Sequence, residues 1–289
     1  MLDELAQTIS RHRINLRTGT AVPRLTLIAA DTLPPATAVM WDPMICFVAA
    51  GSKCVTLGDR QWVVTRGEMF FSAFDLLVTA ALQQAPYRSA VLHLDVRTIA
   101  DLLLELDGTT TLPPSAEVPA QMVAPVPAPL LQAVTRWVRL LDTPGDIPAL
   151  AAHTEAEMVY RLLHSPLAPS LRQFAVTDSA HARIRAAAGW IRAHYNEPVR
   201  IDHLAAIAHV SAATLHRQFK AATGMSPIRF QKEVRLQEAR RLLVAGTTTA
   251  AEVAHAVGYA SPTQFNREYR RTYGLPPAQD AADLRQRLA

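Results

Sequence analysis

The sequence predicts an α+β chain: an N-terminal antiparallel sandwich or barrel, a helical middle and an all-helical C-terminal domain. Three observations carry this. Between Arg24 and Val96 short apolar runs alternate with turn formers every 8 to 12 residues or so, after Val96 the apolar period becomes helical, and from Asp178 onward no run reads as strand. A length of 289 residues suits about two domains, and 49% apolar with 19% charged is ordinary for a globular protein. No apolar stretch approaches the roughly 18 residues of a membrane span, and the acidic start Met1-Leu-Asp-Glu-Leu lacks the order of a signal peptide, so a cytoplasmic location is expected. The expected divisions are residues 1–110, 111–177 and 178–289.

In the first segment the strand-like runs begin at Leu25, Met44, Lys53, Trp62, Met69, Leu76 and Ala90. Gly51-Ser52 fits a two-residue hairpin turn, which would pair Ala50 with Lys53, Ala49 with Cys54 and Cys46 with Leu57. In that register Cys46 and Cys54 point to opposite faces, so a disulfide between them is not expected. Two cysteines are also too few for a disulfide framework or a four-ligand zinc site.

The first segment ends in a helical run from Thr98 to Leu106. Six of the 20 prolines then fall between Pro113 and Pro129, which predicts a break in regular structure. Leu130, Leu131, Val134, Trp137, Val138 and Leu141 form one apolar stripe on a helix. Two readings cover it: packing on the helix of residues 149–164 or on the barrel, and a partner helix in a homodimer.

The charge is uneven. Residues 1–177 hold 13 basic and 16 acidic side chains, net −3, whereas residues 178–289 hold 16 and 9, net +7. Such a surplus fits an anionic partner or a solvated face, and an internal repeat decides between them. At an offset of 50, Ser211, Leu215, Arg217, Phe219, Lys220, Gly224 and Pro227 match Ser261, Phe265, Arg267, Tyr269, Arg270, Gly274 and Pro277. Each copy is a helix opened by a Ser N-cap, apolar on one face, basic on the other and closed by Gly. A short Ala-rich helix precedes each, at Leu204 and at Val253, the second led by the capping box Thr249-x-x-Glu252.

Short helix, tight turn and capped helix make a helix-turn-helix, whose second helix is the size a B-DNA major groove admits. Pro227 to Val244 would join the two copies by a rod of 18 residues, about 27 Å long, against the roughly 34 Å between successive major grooves on one face of the duplex. The candidate DNA contacts are Ser211, Ala213, Thr214, His216, Arg217 and Lys220, with Ser261, Thr263, Gln264, Asn266, Arg267 and Arg270. Arg217 and Arg267 suit base or phosphate contact, and Lys220 and Arg270 suit phosphates. His216 and Asn266 either read base edges or are plain surface residues.

The stretch Arg235-Leu-Gln-Glu-Ala-Arg-Arg-Leu-Leu followed by Val257-Gly-Tyr-Ala-Ser-Pro-Thr-Gln-Phe-Asn-Arg-Glu-Tyr-Arg-Arg-Thr-Tyr-Gly-Leu-Pro-Pro resembles the DNA-binding domain of the AraC/XylS family of transcription regulators. Phe47 to Asp95, with Gly51-Ser-Lys and Leu57-Gly-Asp, and the helix at Glu157-Met-Val-Tyr-Arg-Leu-Leu are similar to the N-terminal effector domain of one subgroup. The resemblance implies a cupin-like barrel binding an unknown small-molecule effector, a helical dimer contact, promoter DNA as partner, and no cofactor, and it allows a contact with RNA polymerase. One departure is His209, where the first motif usually has a small residue; a positive φ there would cost His about 1 kcal/mol relative to Gly.

Two other functions compete with an effector-responsive regulator. A cupin-type enzyme, metal-dependent or metal-free, fused to a DNA-targeting domain would need a ligand cluster if it used metal. Only His93 lies between Pro23 and Val96, and His93-x-Asp95 alone is an ordinary pair, so neither catalytic nor metal residues are assigned. An architectural DNA binder would need no barrel. The effector residues stay unassigned: Trp41, Phe47, Trp62, Phe70 and Phe71 suit a pocket or a core. Cys46 and Cys54 suit structural filler, or thiols that sense aldehydes or oxidants beside a base such as Lys53.

Overall fold

The computed structural model describes residues 1–106, 118–175, 179–246 and 249–288. The chain divides into two compact units, Met1–Arg185 and Ala186–Ala289. The divisions expected after residues 110 and 177 lie outside the described residues.

The first unit opens with α1 (Leu2–His12), an amphipathic helix whose Leu5 and Ile9 are fully buried. Sequence reading had no counterpart for it. An antiparallel sheet follows, made of β1 (Arg17–Gly19), β2 (Leu25–Ala30), β3 (Thr37–Trp41), β4 (Met44–Leu57), β5 (Arg60–Thr65), β6 (Glu68–Ser72), β7 (Leu76–His93) and β8 (Gln121–Pro125). Its order is β1-β2-β7-β4-β6-β8, with β3 on β7 and β5 on β4. The long strands β4 and β7 pair with each other along most of their length and carry the short strands on their two halves. Phe47, Phe70, Phe71 and Phe74 fill the interior, and Trp41 and Trp62 meet Phe70 edge-on at 5.7 and 5.8 Å between ring centroids. Phe47, Phe70 and Phe71 are therefore core, whereas Trp62 is half-buried at its edge.

The hairpin expected at Gly51-Ser52 is absent. β4 runs through that point as one 14-residue strand, and Lys53 and Cys54 face Val64 and Val63 of β5, with Leu82 and Ala81 of β7 on the other side. Register shifts between Val48 and Lys53 mark a bulged, bent strand. Gly51 has φ +73°, and a Cβ there would stand 2.4 Å from the Gln84 carbonyl oxygen. Glycine thus admits the backbone of β7 at a bulge. A bulge and a turn share this sequence signal, which is why the reading failed. Both cysteines are free, Cys46 buried and Cys54 half-buried.

Likewise the runs at Leu76 and Ala90 belong to a single 18-residue strand. It ends at His93, and Asp95 then caps α2 (Val96–Glu105) by accepting from the Arg97 and Thr98 amides. Pro113 and Pro114 lie outside the described residues. Residues 118–129 are not the expected break: they hold β8, paired with β6 at the sheet edge and ending at Pro125. An edge strand has one row of amides free of the ladder, so proline is tolerated at its end.

Next come α3 (Ala128–Arg139), α4 (Ile147–Leu162) and α5 (Ala168–Ala175). The apolar stripe is buried inside this unit: Leu130, Val134, Trp137 and Val138 have no exposed surface, and α3 packs on α4 and α1. Each such side chain contributes about 1.5 to 3 kcal/mol on burial. The stripe is therefore not a partner-helix surface, because the monomer already covers it.

α6 (Ala180–Ala193) spans the division between the units. The second unit continues through α7 (Ile201–Ile207), α8 (Ala212–Thr223), α9 (Pro227–Ala245), α10 (Ala250–Ala256), α11 (Pro262–Tyr273) and α12 (Pro277–Leu288). Among the described residues no helix is long and apolar enough to cross a membrane.

Candidate nucleic-acid interface

The two helix pairs α7–α8 and α10–α11 are built alike. In the first, the α7 chain turns at His209, whose φ is +50°; His209 N donates to the Ala206 carbonyl and Val210 N to the Ala205 carbonyl. In the second, Gly258 has φ +86°, with Gly258 N on His255 and Tyr259 N on Ala254. Both are Schellman closures. His209 thus occupies the left-handed position that glycine fills in the second copy. The offset here is 49, not 50, because Ala260 adds one residue between turn and N-cap in the second motif.

Ser211 and Ser261 then cap the second helices, accepting from the Thr214 and Gln264 amides at 3.3 and 3.4 Å. Ser211 also donates to the Thr214 hydroxyl at 3.0 Å. Both helices close at a left-handed glycine, Gly224 and Gly274. Leu215, Phe219, Phe265 and Tyr269 are fully buried and fix each helix on its unit core.

The opposite face carries Ala213, His216, Arg217 and Lys220 on α8, and Thr263, Asn266, Arg267 and Arg270 on α11, all exposed. Residues four and three apart share a face, so alanine or threonine, arginine and then a second cation line up in the same order on both helices. Thr214 and Ser261 are half-buried, while Ser211 and Gln264 stand at the exposed N-terminal ends. Gln264 donates to Glu268 at 3.4 Å, which holds its amide along the helix.

Several arginines of the unit are tied to protein groups, whereas the cations of the two matching faces are not. Arg235, Arg240, Arg241 and Arg285 are bound within the protein. Arg217, Lys220, Arg267 and Arg270 make no ion pair among the described residues, so four cations project from the two matching faces.

The bound set positions the second motif. Arg235 of α9 donates to the carbonyls of Tyr195 at 2.6 Å, Glu197 at 3.0 Å and Gly258 at 2.8 Å. Gln231, one turn earlier, donates to Tyr195 and Glu197 as well. Arg240 grips Asp280 through two hydrogen bonds of 2.8 and 2.9 Å, and the buried Tyr269 hydroxyl donates to the same carboxylate at 2.8 Å. Burial, and then that carboxylate, push the Tyr269 hydroxyl far up. Tyr259 donates to Glu268 at 2.9 Å and Lys232 pairs with it at 2.9 Å. Burial raises the Glu268 carboxyl, but Lys232 and Tyr259 outweigh it and hold the group below the usual carboxylate range. Arg235, Arg240, Tyr259, Glu268 and Tyr269 lie in the stretch that carries the resemblance, but the sequence does not reveal their positioning roles.

In the first unit His93 and Asp95 do separate jobs. His93 Nε2 meets the Thr26 hydroxyl at 3.0 Å, and burial followed by Arg17 lowers its pKa. Asp95 is the cap of α2 and also meets Arg24. Among the described residues no group of three or more His, Cys, Asp or Glu could hold a metal ion.

Comparison with known proteins agrees with this geometry. The family model for the AraC-type transcriptional regulator N-terminus matches residues 21–170, and a helix-turn-helix domain model matches residues 204–282. The chain belongs to the AraC-type transcriptional regulators. Within the family it is similar to the HTH-type transcriptional activator RhaS of Pectobacterium carotovorum subsp. carotovorum (strain PC1), 31% identical over 133 residues, or 46% of this chain and 47% of that one. RhaS of Salmonella arizonae is 30% identical over 156 residues, 54% of each chain. The chain thus matches about half the length of these curated relatives. Among solved structures, unsaturated fatty acid bound wild-type ToxT from Vibrio cholerae strain SCE256 aligns with TM-score 0.59 and 11% identity, covering 89% of this chain and 94% of that one. ToxT from Vibrio cholerae O395 gives 0.55 and 9%, covering 89% and 96%. These last likenesses show a shared fold.

Proposed function

We propose that this AraC-type chain is a sequence-specific DNA-binding transcription regulator whose N-terminal unit responds to a small-molecule effector. The observation that carries the reading is the pair of matching exposed faces, each with two unpaired cations, held in one compact unit by α9. Arg217 and Arg267 read base edges or grip phosphates in two major grooves, flanked by Ala213, His216, Thr263 and Asn266. Lys220 and Arg270 bind phosphates. Ser211, Thr214, Ser261 and Gln264 present the N-terminal ends of the two helices to the backbone. At 19 residues α9 is about 28 Å long, close to the spacing of successive major grooves.

The ToxT structure with bound fatty acid supports a small molecule as effector for a chain of this fold. The cytoplasm is the place of action, and a homodimer would place four motifs on DNA, through a surface other than the buried α3 stripe. A contact with RNA polymerase would follow on a promoter. His93 and Asp95, occupied by Thr26 and by the α2 cap, give the enzyme alternative no catalytic constellation.

Footprinting of the full chain on DNA upstream of its own and neighbouring genes tests the reading. Two protected patches about one helical turn apart are expected. Uniform protection of every sequence would overturn it.

A further inference from the structure

The interior of the sheet holds a pair of nucleophiles that the DNA-binding reading does not use. Lys53 is 3% exposed and Cys46 is fully buried, and Lys53 Nζ donates to Cys46 Sγ at 3.0 Å. Both lie on β4, seven residues apart. In a straight strand their Cα atoms would stand about 23 Å apart with side chains on opposite faces. The register shifts between Val48 and Lys53, centred on Gly51, bring them together. The bulges that displaced the expected hairpin therefore create this contact.

The pair is unusual in its composition too. The chain has three lysines, Lys53, Lys220 and Lys232, among 29 basic residues. The first unit thus uses arginine everywhere except at this buried point, where only lysine offers an amine that can form a bond to carbon. Sulfur is a weak acceptor for an amine with several N–H donors. Nζ also stands 4.8 Å from the Trp41 ring, and Lys53 lines a cavity of about 20 Å³ with Arg17, Trp41, Asp42, Val91 and His93. On the far side Tyr87 reaches Cys46 Sγ at 3.8 Å.

We infer that Lys53 and Cys46 form a covalent trap for a small aliphatic aldehyde, which bridges Nζ and Sγ through its carbonyl carbon. The 3.0 Å separation is close to that of two heteroatoms bonded to one tetrahedral carbon. Lys53 Nζ adds to the carbonyl carbon and the oxygen leaves as water, giving an iminium. Cys46 Sγ then adds to the same carbon. One C–N and one C–S bond form, the carbonyl C–O bonds break, and the thiol proton with one from nitrogen departs in the water. No oxidant or reductant is needed.

The cavity size favours this class of ligand. About 20 Å³ holds roughly one water-sized group, which excludes a sugar or a fatty chain without rearrangement. A ligand of a few atoms gains at most about 1.5 kcal/mol per non-hydrogen atom from non-covalent contacts, so a covalent bond is what gives it useful affinity. Formation of the bridge would change the bent segment of β4 directly. This inference rests on the effector-responsive reading of the first unit and supplies its ligand class.

The test treats the full chain with formaldehyde or acetaldehyde at stoichiometric concentration and follows native mass, thiol reactivity and tryptic cleavage. The expected result is a gain of one aldehyde less one water, loss of the Cys46 thiol with Cys54 intact, and no cleavage after Lys53. Cys46→Ala and Lys53→Arg should each abolish the adduct, and Cys54→Ser should keep it. Operator affinity should shift about fivefold or more on treatment of the wild type, the lower end of ordinary coupling between sites, and not in the two variants. Lys53→Arg retains the buried cation; should it fail to melt cooperatively, Cys46→Ala decides alone. An adduct that survives Cys46→Ala, or that sits on Cys54, Lys220 or Lys232, would overturn the proposal. So would no adduct on a chain that still binds its operator, whereas a bridged chain that never binds DNA would overturn the regulator reading instead.

Discussion

Arg235 Nη1 donates to the Gly258 carbonyl at 2.8 Å, tying the rod α9 to the turn of the second helix-turn-helix. The same guanidinium holds the carbonyls of Tyr195 and Glu197, so three backbone segments meet on one side chain. Arg235→Met should lower stability by about 1.5 to 3 kcal/mol, the usual size for hydrogen bonds to a charged group. Specific DNA affinity should fall while the salt dependence of binding stays unchanged, because no phosphate contact is lost. Denaturant melts and salt-dependent titrations check both. Lysine should not rescue, since a single ammonium cannot reproduce the planar fork.

The two turns predict opposite responses to exchanging their residues. At Gly258 an added Cβ would stand 2.3 Å from the Asn196 carbonyl oxygen, in a left-handed backbone. Gly258→Ala should therefore destabilise by more than about 1 kcal/mol. His209, also left-handed at φ +50°, is exposed, so His209→Gly should be neutral or stabilise by up to about 1 kcal/mol. Thermal unfolding of the two variants separates the cases.

Trp137 belongs to the stripe that suggested a dimer contact, and it is fully buried in the first unit. Trp137→Ala should cost about 3 to 5 kcal/mol of folding stability. Chemical denaturation should register this loss. Sedimentation should show no selective dissociation of folded chains.

His181 makes the stability of the first unit depend on pH on the acid side. Burial, and then Arg185, lower its pKa from an ordinary 6.5 to about 4, and its ring lies edge-on to Phe74 at 5.5 Å. The folded state keeps the imidazole neutral, whereas the unfolded chain takes up a proton below about pH 6.5. Stability is therefore fully present above that pH and falls as pH drops toward 4, where the folded form also protonates. His181→Phe should flatten this part of the profile in melts recorded from pH 7 to 4.

Much of the helical unit was legible because its signals are local. Ser211, Thr249 and Ser261 cap the helices they were expected to cap, and Gly224 and Gly274 end the two helices of the repeat. Those devices act within one turn of chain. The sheet was less legible because its decisive contacts are distant in sequence. Gly51 reads as a turn until the Gln84 carbonyl is seen beside it, and α1 is explained by burial of Leu5 and Ile9 rather than by neighbouring residues. The α3 stripe was recognised, but periodicity alone does not say whether α4 or another molecule covers it. Sequence left open which thiol Lys53 would meet, and its partner is Cys46, because bulges decide which side chains come together.

The central claim is that both helix faces read DNA. Its most direct test is a titration of wild type, Arg217→Ala and Arg267→Ala against upstream and unrelated DNA at two salt concentrations. The account predicts that each variant loses about 1 to 3 kcal/mol of specific binding while non-specific binding changes little. Equal binding of wild type to all sequences, unaltered by either substitution, would contradict it.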